Sequence, residues 1–212
     1  MLQARHTDDS KEEVGIDEAG RGCLWGPLVA AAVQWPLESD WTDEIKMYSL
    51  QIKDSKQLSP KRRAVLEEAI KKHAVAWSIG RVEALEIDTI GMTKANRLAF
   101  QRALDGLGKT PGRVLIDGIL GLNSNIEEIV EPNGDGTYLA IAAASIIAKE
   151  GRDRMVKEMC AADKTLDERY KLNSSKGYGT LAHRNAIKQY GMHHEHRKLF
   201  LRKLLGLNHT VT

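Results

Sequence analysis

The stretch VGIDEAGRGCLWGPLVAAAVQW, Val14 to Trp35, sets the terms for any fold of this chain. Val14–Ala19 reads as a short apolar strand that ends on two adjacent acids, Asp17 and Glu18. Pro27–Trp35 is a second apolar, strand-forming run, and Gly20, Arg21, Gly22 and Gly26 between them supply the chemistry of a chain reversal. A turn that gathers two carboxylates and a guanidinium where the backbone must bend is a place for something charged.

Strands and helices continue to alternate. Ser59-Pro60 opens a helix with serine as N-cap and proline at its first position. Val65, Leu66, Ala69 and Ile70 lie on its apolar side, and Arg62, Arg63, Glu67, Glu68, Lys71 and Lys72 form the opposite, solvated face. A third strand follows at 74–81, then one long helical pattern from Ala84 to about Leu107, broken by Gly106, Gly108, Pro111 and Gly112. Arg113–Gly118 is a fourth strand ending at Asp117, and 126–132 is a fifth. Helix is expected from Tyr138 to about Met159, and again over LAHRNAIKQY between a Thr180 cap and a Gly191 stop. The class is α/β: a mixed five-stranded sheet flanked by helices, with a small C-terminal helical subdomain. Neither repeat nor linker divides the 212 residues, so one domain is expected, with a core at about 13–162 and a helical part at about 163–212.

The longest apolar run, Leu139–Ala148, is far shorter than the roughly 20 residues that cross a bilayer, so no membrane span is expected. The polar N-terminus lacks the apolar segment of a secretory signal, and the chain has two cysteines, Cys23 and Cys160. A reduced, cytoplasmic location is expected. The net charge is only +2, yet residues 151–212 hold thirteen Lys and Arg against six acids, a net +7 that leaves −5 for the first 150. Such asymmetry suits a basic surface facing nucleic acid beside an acidic site, and solvated helix faces give the same count.

Four acids stand at strand ends or in glycine turns: Asp17, Glu18, Asp117 in LIDG and Asp135 in NGDG. Strand ends are where α/β proteins meet their ligands. Carboxylates gathered there raise one another's pKa unless a cation intervenes, and hard oxygen donors suit Mg²⁺ or Mn²⁺. Asp117 and Asp135 both precede glycine, so a turn role is open for each. Because consecutive strand residues face opposite sides, Glu18 joins Asp17 in one site only if the strand bends or Glu18 offers its main-chain carbonyl. HHEH, His193 to His196, lacks zinc-site spacing and reads as adjacent histidines on a solvated turn. Cys160 reads as a small packing residue.

GIDEAGRG with GPLVAAAV, DSK at Asp54–Lys56, LIDG, GD followed by IAAASIIAKEGRD, and KGYGT at Lys176–Thr180 resemble, in this order, ribonuclease HII of the type 2 ribonuclease H family. The resemblance runs from about Val14 to Phe200. It implies a ribonuclease H-like fold and an endonuclease acting on RNA paired to DNA, including single ribonucleotides embedded in duplex DNA. It implies that Asp17, Glu18, Asp117 and Asp135 bind two metal ions, and that Gly20, Arg21 and Gly22 contact the ribose 2′-OH. Tyr178 would pack on the deoxynucleotide after the ribonucleotide, and Lys56, Ser145, Lys149 and Lys176 would meet the nucleic-acid backbone. For Tyr178 a role as a loop tyrosine covering the core stays open. The extra N-terminal domain of ribonuclease HIII is not expected, because about a dozen residues precede the first strand.

The chain departs from the family pattern at Cys23 and Trp25, where proline and a small residue are usual. Trp25 has three possible places: against substrate as a clash, on it as a stack, or in the core. Asn133 replaces a lysine and Ser175 a histidine, both potential phosphate contacts, and Leu199 stands where serine is common. These departures sustain a second reading, a hybrid-binding relative or scaffold subunit that does not cut. A monomer is expected, and the tail LRKLLGLNHTVT shows no sliding-clamp peptide.

Overall fold

A computed structural model describes residues 2–206; part of the tail just named, 207–212, lies outside the described residues. The elements run β1 (Glu13–Ala19), β2 (Leu28–Gln34), α1 (Asp43–Ser49), α2 (Pro60–His73), β3 (Ala76–Val82), α3 (Ala84–Ile90), α4 (Met92–Asp105), β4 (Arg113–Asp117), β5 (Glu127–Glu131) and α5 (Leu139–Ala162). The C-terminal part holds α6 (Lys164–Tyr170), α7 (Leu172–Ser175), α8 (Leu181–Tyr190) and α9 (Lys198–Leu205).

The sheet order is β3-β2-β1-β4-β5, antiparallel across β1–β2 and β2–β3 and parallel across β1–β4 and β4–β5. The parallel register pairs Ile16 with Ile116, so the next residues along, Asp17 and Asp117, emerge side by side at one end of the sheet. One face packs Ala31 and Val33 against α2 and α5, and the other packs Ile16, Ala30, Ala32 and Ile116 against Ala95, Ala99 and Phe100 of α4. The apolar stretch Leu139–Ala148 is buried all round, which is what a central helix without a polar stripe requires. Two glycines let helices approach the strands: a Cβ on Gly15 would overlap the Ala140–Ile141 backbone of α5, and one on Gly80 the Ala99 carbonyl of α4. Among the described residues no helix is long and apolar enough to cross a membrane.

The five strands and the caps at Ser59 and Thr180 match the sequence expectation, and four points differ. The single helix expected from Ala84 to Leu107 breaks at Gly91, whose φ of +81° ends α3 and starts α4 in a new direction. The polar face of α2 is not wholly solvated. Arg63 and Glu67 are buried against α5, where Arg63 Nε meets Glu150 at 2.6 Å and Glu67 accepts a forked pair from Arg154 at 3.0 and 3.1 Å. Val65, placed on the apolar side, is exposed. Finally, His196 is not on a solvated turn but fully buried, while His194 beside it is exposed.

Around the C-terminal helices lies a separate cluster of Val156, Cys160, Leu166, Tyr170, Leu172, Ala186, Ile187 and Leu201, and Trp25 enters it from the β1–β2 turn. Trp25 therefore fills core.

Replacing Gly15 by alanine forces α5 off β1, with an expected loss of about 2–3 kcal/mol for overpacking a rigid backbone contact. Urea unfolding of G15A measures it, and a midpoint equal to the wild type's would contradict this account of the β1–α5 contact.

Candidate active site

At the end of the sheet where β1 and β4 finish, a cleft of about 220 Å³ is lined by Asp17, Glu18, Gly20, Arg21, Gly22, Ser55, Lys56, Asp117, Ser145, Lys149 and Tyr178. Strand alternation is kept at its mouth. Asp17 lies on the α5 face near Ser145, Glu18 on the α4 face near Asn96, and both border the cleft because the strand stops there. Both side chains border the cleft with the β1–β2 register unbroken through Ala19. Asp17 Oδ1 accepts the Glu18 N–H at 2.6 Å, and Glu18 Oε1 stands 3.6 Å from Arg21 Nη1.

Asp135 arrives from another direction. Asn133 adopts the left-handed conformation (φ 58°) and starts a short turn, Gly134–Gly136, that carries Asp135 behind Asp117. The Asp135 N–H donates to Asp117 Oδ1 at 3.4 Å, and Asp135 Oδ2 stands 3.5 Å from Lys56 Nζ. That oxygen is buried and has no hydrogen bond. Lys56 itself is placed by a turn that Asp54 caps, its side chain accepting from the Lys56 N–H at 2.9 Å.

The acids feel one another. Burial, then Glu18 and Asp117, push the Asp17 carboxyl well above the usual carboxylate range. Burial also raises Glu18, with Arg21 opposing and Asp117 adding; Asp135 is raised by burial and Asp117, against Lys56. Among the described residues no three His, Cys, Asp or Glu side chains converge tightly enough to form a finished metal cage. The arrangement is an acid cluster facing one lysine, open on the cleft side.

The opposite wall is α5. Ser145 Oγ lies 2.9 Å from Ser55 Oγ, and Lys149 pairs with Asp153 at 2.7 Å while its ammonium sits 6.0 Å from the Tyr178 ring centre. Tyr178 is 41% exposed over this end of the cleft, so it does not cover the core. Of the residues singled out in the sequence, Asp135 and Lys176 do not line the cleft; Asp135 abuts it through Asp117, and Lys176 turns away. Its Nζ turns back to the Asn173 carbonyl at 2.5 Å, and its own carbonyl receives Arg152 Nη1 at 2.7 Å and the buried Cys23 thiol at 3.6 Å. Ser175 is buried, its hydroxyl accepting from the Gly177 N–H at 3.2 Å.

Sequence reasoning missed the residues that hold these loops. Arg152, fully buried, donates to Pro27 O at 3.0 Å, Trp25 O at 2.9 Å and Lys176 O, tying the β1–β2 turn to the Tyr178 loop. Gly177 accepts this proximity because a Cβ there would lie 2.6 Å from Trp25 O. Under Tyr178 runs a relay. His183 Nδ1 lies 2.9 Å from the Tyr178 carbonyl, which can only accept, so Nδ1 carries the proton and Nε2 accepts from His196 Nε2 at 3.1 Å. His196 Nδ1 in turn accepts the His193 N–H at 2.8 Å. Burial keeps both rings neutral, with His196 pushed down to about 3. The signal available in the sequence was helical spacing: Ser145, Lys149 and Arg152 fall at i, i+4 and i+7 of one helix and so share a face.

The family model described as ribonuclease HII matches residues 14–203. The chain belongs to the ribonuclease HII family. The ribonuclease HII of Synechococcus sp. (strain RCC307) is 44% identical over 193 residues, 88% of this chain and 89% of that protein. Among solved structures, ribonuclease H2 from Pyrococcus horikoshii OT3 superposes with a TM-score of 0.71 at 27% identity, over 91% of this chain and 96% of that one. A ribonuclease HII from Archaeoglobus fulgidus, solved in complex with PCNA, gives 0.69 at 26% over 88% and 93%. Family membership makes the chain a hydrolase of the ribonuclease H class, and the mixed five-stranded sheet is the fold it shares with these enzymes.

An acid held above its unfolded-state pKa binds its proton more tightly in the folded protein, so folding loses stability as pH rises through the gap between the two values. Asp17→Asn removes that cost and keeps an oxygen for the Glu18 N–H. In metal-free buffer the variant is expected to melt about 2–4 °C above the wild type at alkaline pH, roughly 1 kcal/mol for a chain of this size. The gain fades as pH falls toward the ordinary carboxylate range. Calorimetry in chelator across pH checks this, and a lower melting temperature for D17N at alkaline pH would contradict it.

Proposed function

We propose that the chain is a metal-dependent endonuclease that hydrolyses the RNA strand of RNA–DNA hybrids. It also incises on the 5′ side of single ribonucleotides embedded in duplex DNA, leaving 3′-hydroxyl and 5′-phosphate ends. The observation that carries this reading is the meeting of Asp17, Glu18, Asp117 and Asp135 at one sheet end, beneath a glycine turn and an exposed tyrosine.

The donor set fits a pair of Mg²⁺ or Mn²⁺ ions. All four groups are hard oxygen ligands, three are strained toward protonation without a cation, and Asp135 Oδ2 is buried with no hydrogen bond of its own. When bound, such ions activate a water and offset charge that grows on the departing 3′ oxygen. The rest falls to the chain. Lys56, beside Asp135 and exposed to the cleft, meets a phosphate oxygen; Lys149 and Ser145 on α5 meet the strand's backbone from the other wall. The Gly20–Gly22 main chain comes close enough to a sugar to hydrogen-bond its 2′-OH, the group by which RNA differs from DNA at a single nucleotide. Tyr178 stacks on the neighbouring deoxynucleotide. The reading takes the chain as one domain, with Trp25 of the core's turn rooted among the C-terminal helices. Trp25 is buried away from the cleft lining, which argues against obstruction by it as a ground for a non-cutting relative.

A duplex carrying one ribonucleotide tests the reading on a gel. Incision is expected with Mg²⁺ or Mn²⁺ and none with chelator, and D117N is expected to lower the rate by about 10²–10³-fold, as loss of a transition-state-stabilising group does. Cleavage that persists in chelator would overturn it. Y178A is expected to weaken the preference for the RNA-to-DNA junction about tenfold, the worth of one base–aromatic stack, while uniform hybrids are cut at nearly the wild-type rate. Equal losses on both substrates would contradict the role given to Tyr178.

A further inference from the structure

Behind the Gly20–Gly22 turn, on the side away from the cleft, lies the guanidinium of Arg197. It is fully buried, and among the described residues no carboxylate lies within ion-pair distance of it. Asp88, the acid nearest in influence, spends both oxygens on the N–H groups of Lys198 and Leu199, at 2.8 and 2.9 Å. Arg197 Nη2 has no hydrogen bond. Burying an unpaired cation is costly, and here it depresses the Arg197 pKa to about 10. What the cation holds is main chain. Nε donates to Gly26 O at 2.9 Å, and Nη1 to Gly20 O at 2.7 Å and Arg21 O at 3.1 Å. Its own segment is laced to the same turn, with Arg197 N–H to Leu24 O at 2.8 Å and Gly26 N–H to Glu195 O at 2.9 Å.

A trans peptide plane fixes the consequence, because each carbonyl points opposite to the N–H of the next residue. With the carbonyls of Gly20 and Arg21 drawn inward by one guanidinium, the N–H groups of Arg21 and Gly22 are turned outward, toward the cleft these residues line. Neither N–H has a partner among the described residues. We infer that Arg197 is a positioning residue for substrate selection: its buried fork aims the Arg21 and Gly22 amides at the sugar, so that one ribose hydroxyl is met by preset donors. The inference rests on the reading of Gly20–Gly22 as the sugar-contacting segment. Preset donors avoid the reorganisation that a floppy glycine turn needs at each binding event.

The test compares binding of two duplexes in Ca²⁺, one with a single ribonucleotide and one all DNA, for wild type, R197K and R197M. Lysine keeps the charge but has no planar fork to span two carbonyls. R197K and R197M are expected to lose about tenfold of the ribonucleotide preference, the worth of one misdirected hydrogen bond, with all-DNA affinity nearly unchanged. Equal weakening on both duplexes, or an unchanged preference in a folded R197K, would overturn the inference. If neither variant folds, the wild-type protein decides by NMR. The Arg197 Nε–H resonance is expected to shift on adding the ribonucleotide duplex and to stay put with all-DNA duplex, and no difference between the two overturns the proposal. Failure of the function itself reads differently: a wild type that binds both duplexes equally refutes sugar selection by Gly20–Gly22, whatever Arg197 does.

Discussion

The seat of α5 on β1 is the contact on which the rest depends. A helix backbone reaches a strand this closely only where the strand shows no side chain, and Gly15 provides that opening two residues before Asp17. Once seated, α5 is a rigid rod from the core to the cleft, and its i, i+4, i+7 row delivers Ser145 beside Asp17, Lys149 beside Tyr178 and Arg152 under both loops. The sheet supplies the acids and the helix supplies their opposite wall. The distance between the two walls is thus set by packing within the core.

Electrostatics divides the cleft into two halves. Asp17, Glu18, Asp117 and Asp135 crowd one side, and burial with mutual repulsion raises three of them toward protonation. Among the described residues two cations pair with this cluster, Lys56 with Asp135 and Arg21 with Glu18 at the rim. Lys149 is already committed to Asp153. An acid cluster with so little neutralisation is stabilised by whatever cation enters it, and that linkage runs both ways: a bound dication lowers the pKa values and raises the stability of the fold.

The strand ends and caps were legible because local chemistry settles them. Acids after an apolar run, Ser59-Pro60 and Thr180 each act within a few residues. The break at Gly91 was not, since apolar residues continue on both sides of it and a single glycine inside such a pattern does not by itself end a helix. Arg63 and Glu67 looked solvated because a helical wheel does not show that a second charged helix face will pack against them. Within the site, ten of the substrate-facing and acidic positions read from the sequence border the cleft and Asp135 abuts it through Asp117, whereas Lys176 contributes its carbonyl rather than its ammonium. A one-dimensional motif specifies a residue's presence in a loop and leaves the direction of its side chain to the three residues around it.

What lay beyond sequence reading is the layer behind the site, and its chemistry explains why. Arg152, Arg197, His183 and His196 are all buried, and each acts on main-chain groups or on another buried ring. Main-chain partners leave no trace in side-chain patterns, so Arg197 and the two histidines carry no spacing that announces them, and Arg152 shows only its place on the Ser145–Lys149 face of α5. Their arrangement nevertheless makes the two loops one object. Arg152 bridges the β1–β2 turn to Lys176, Arg197 grips the same turn from the start of α9, and the histidine relay joins Tyr178 to the 193–196 segment that is itself bridged to Trp25. A displacement of Tyr178 relative to Gly20–Gly22 would break at least one hydrogen bond of this layer, so the segment read as facing the sugar and the ring read as facing the next base are coupled in their movement.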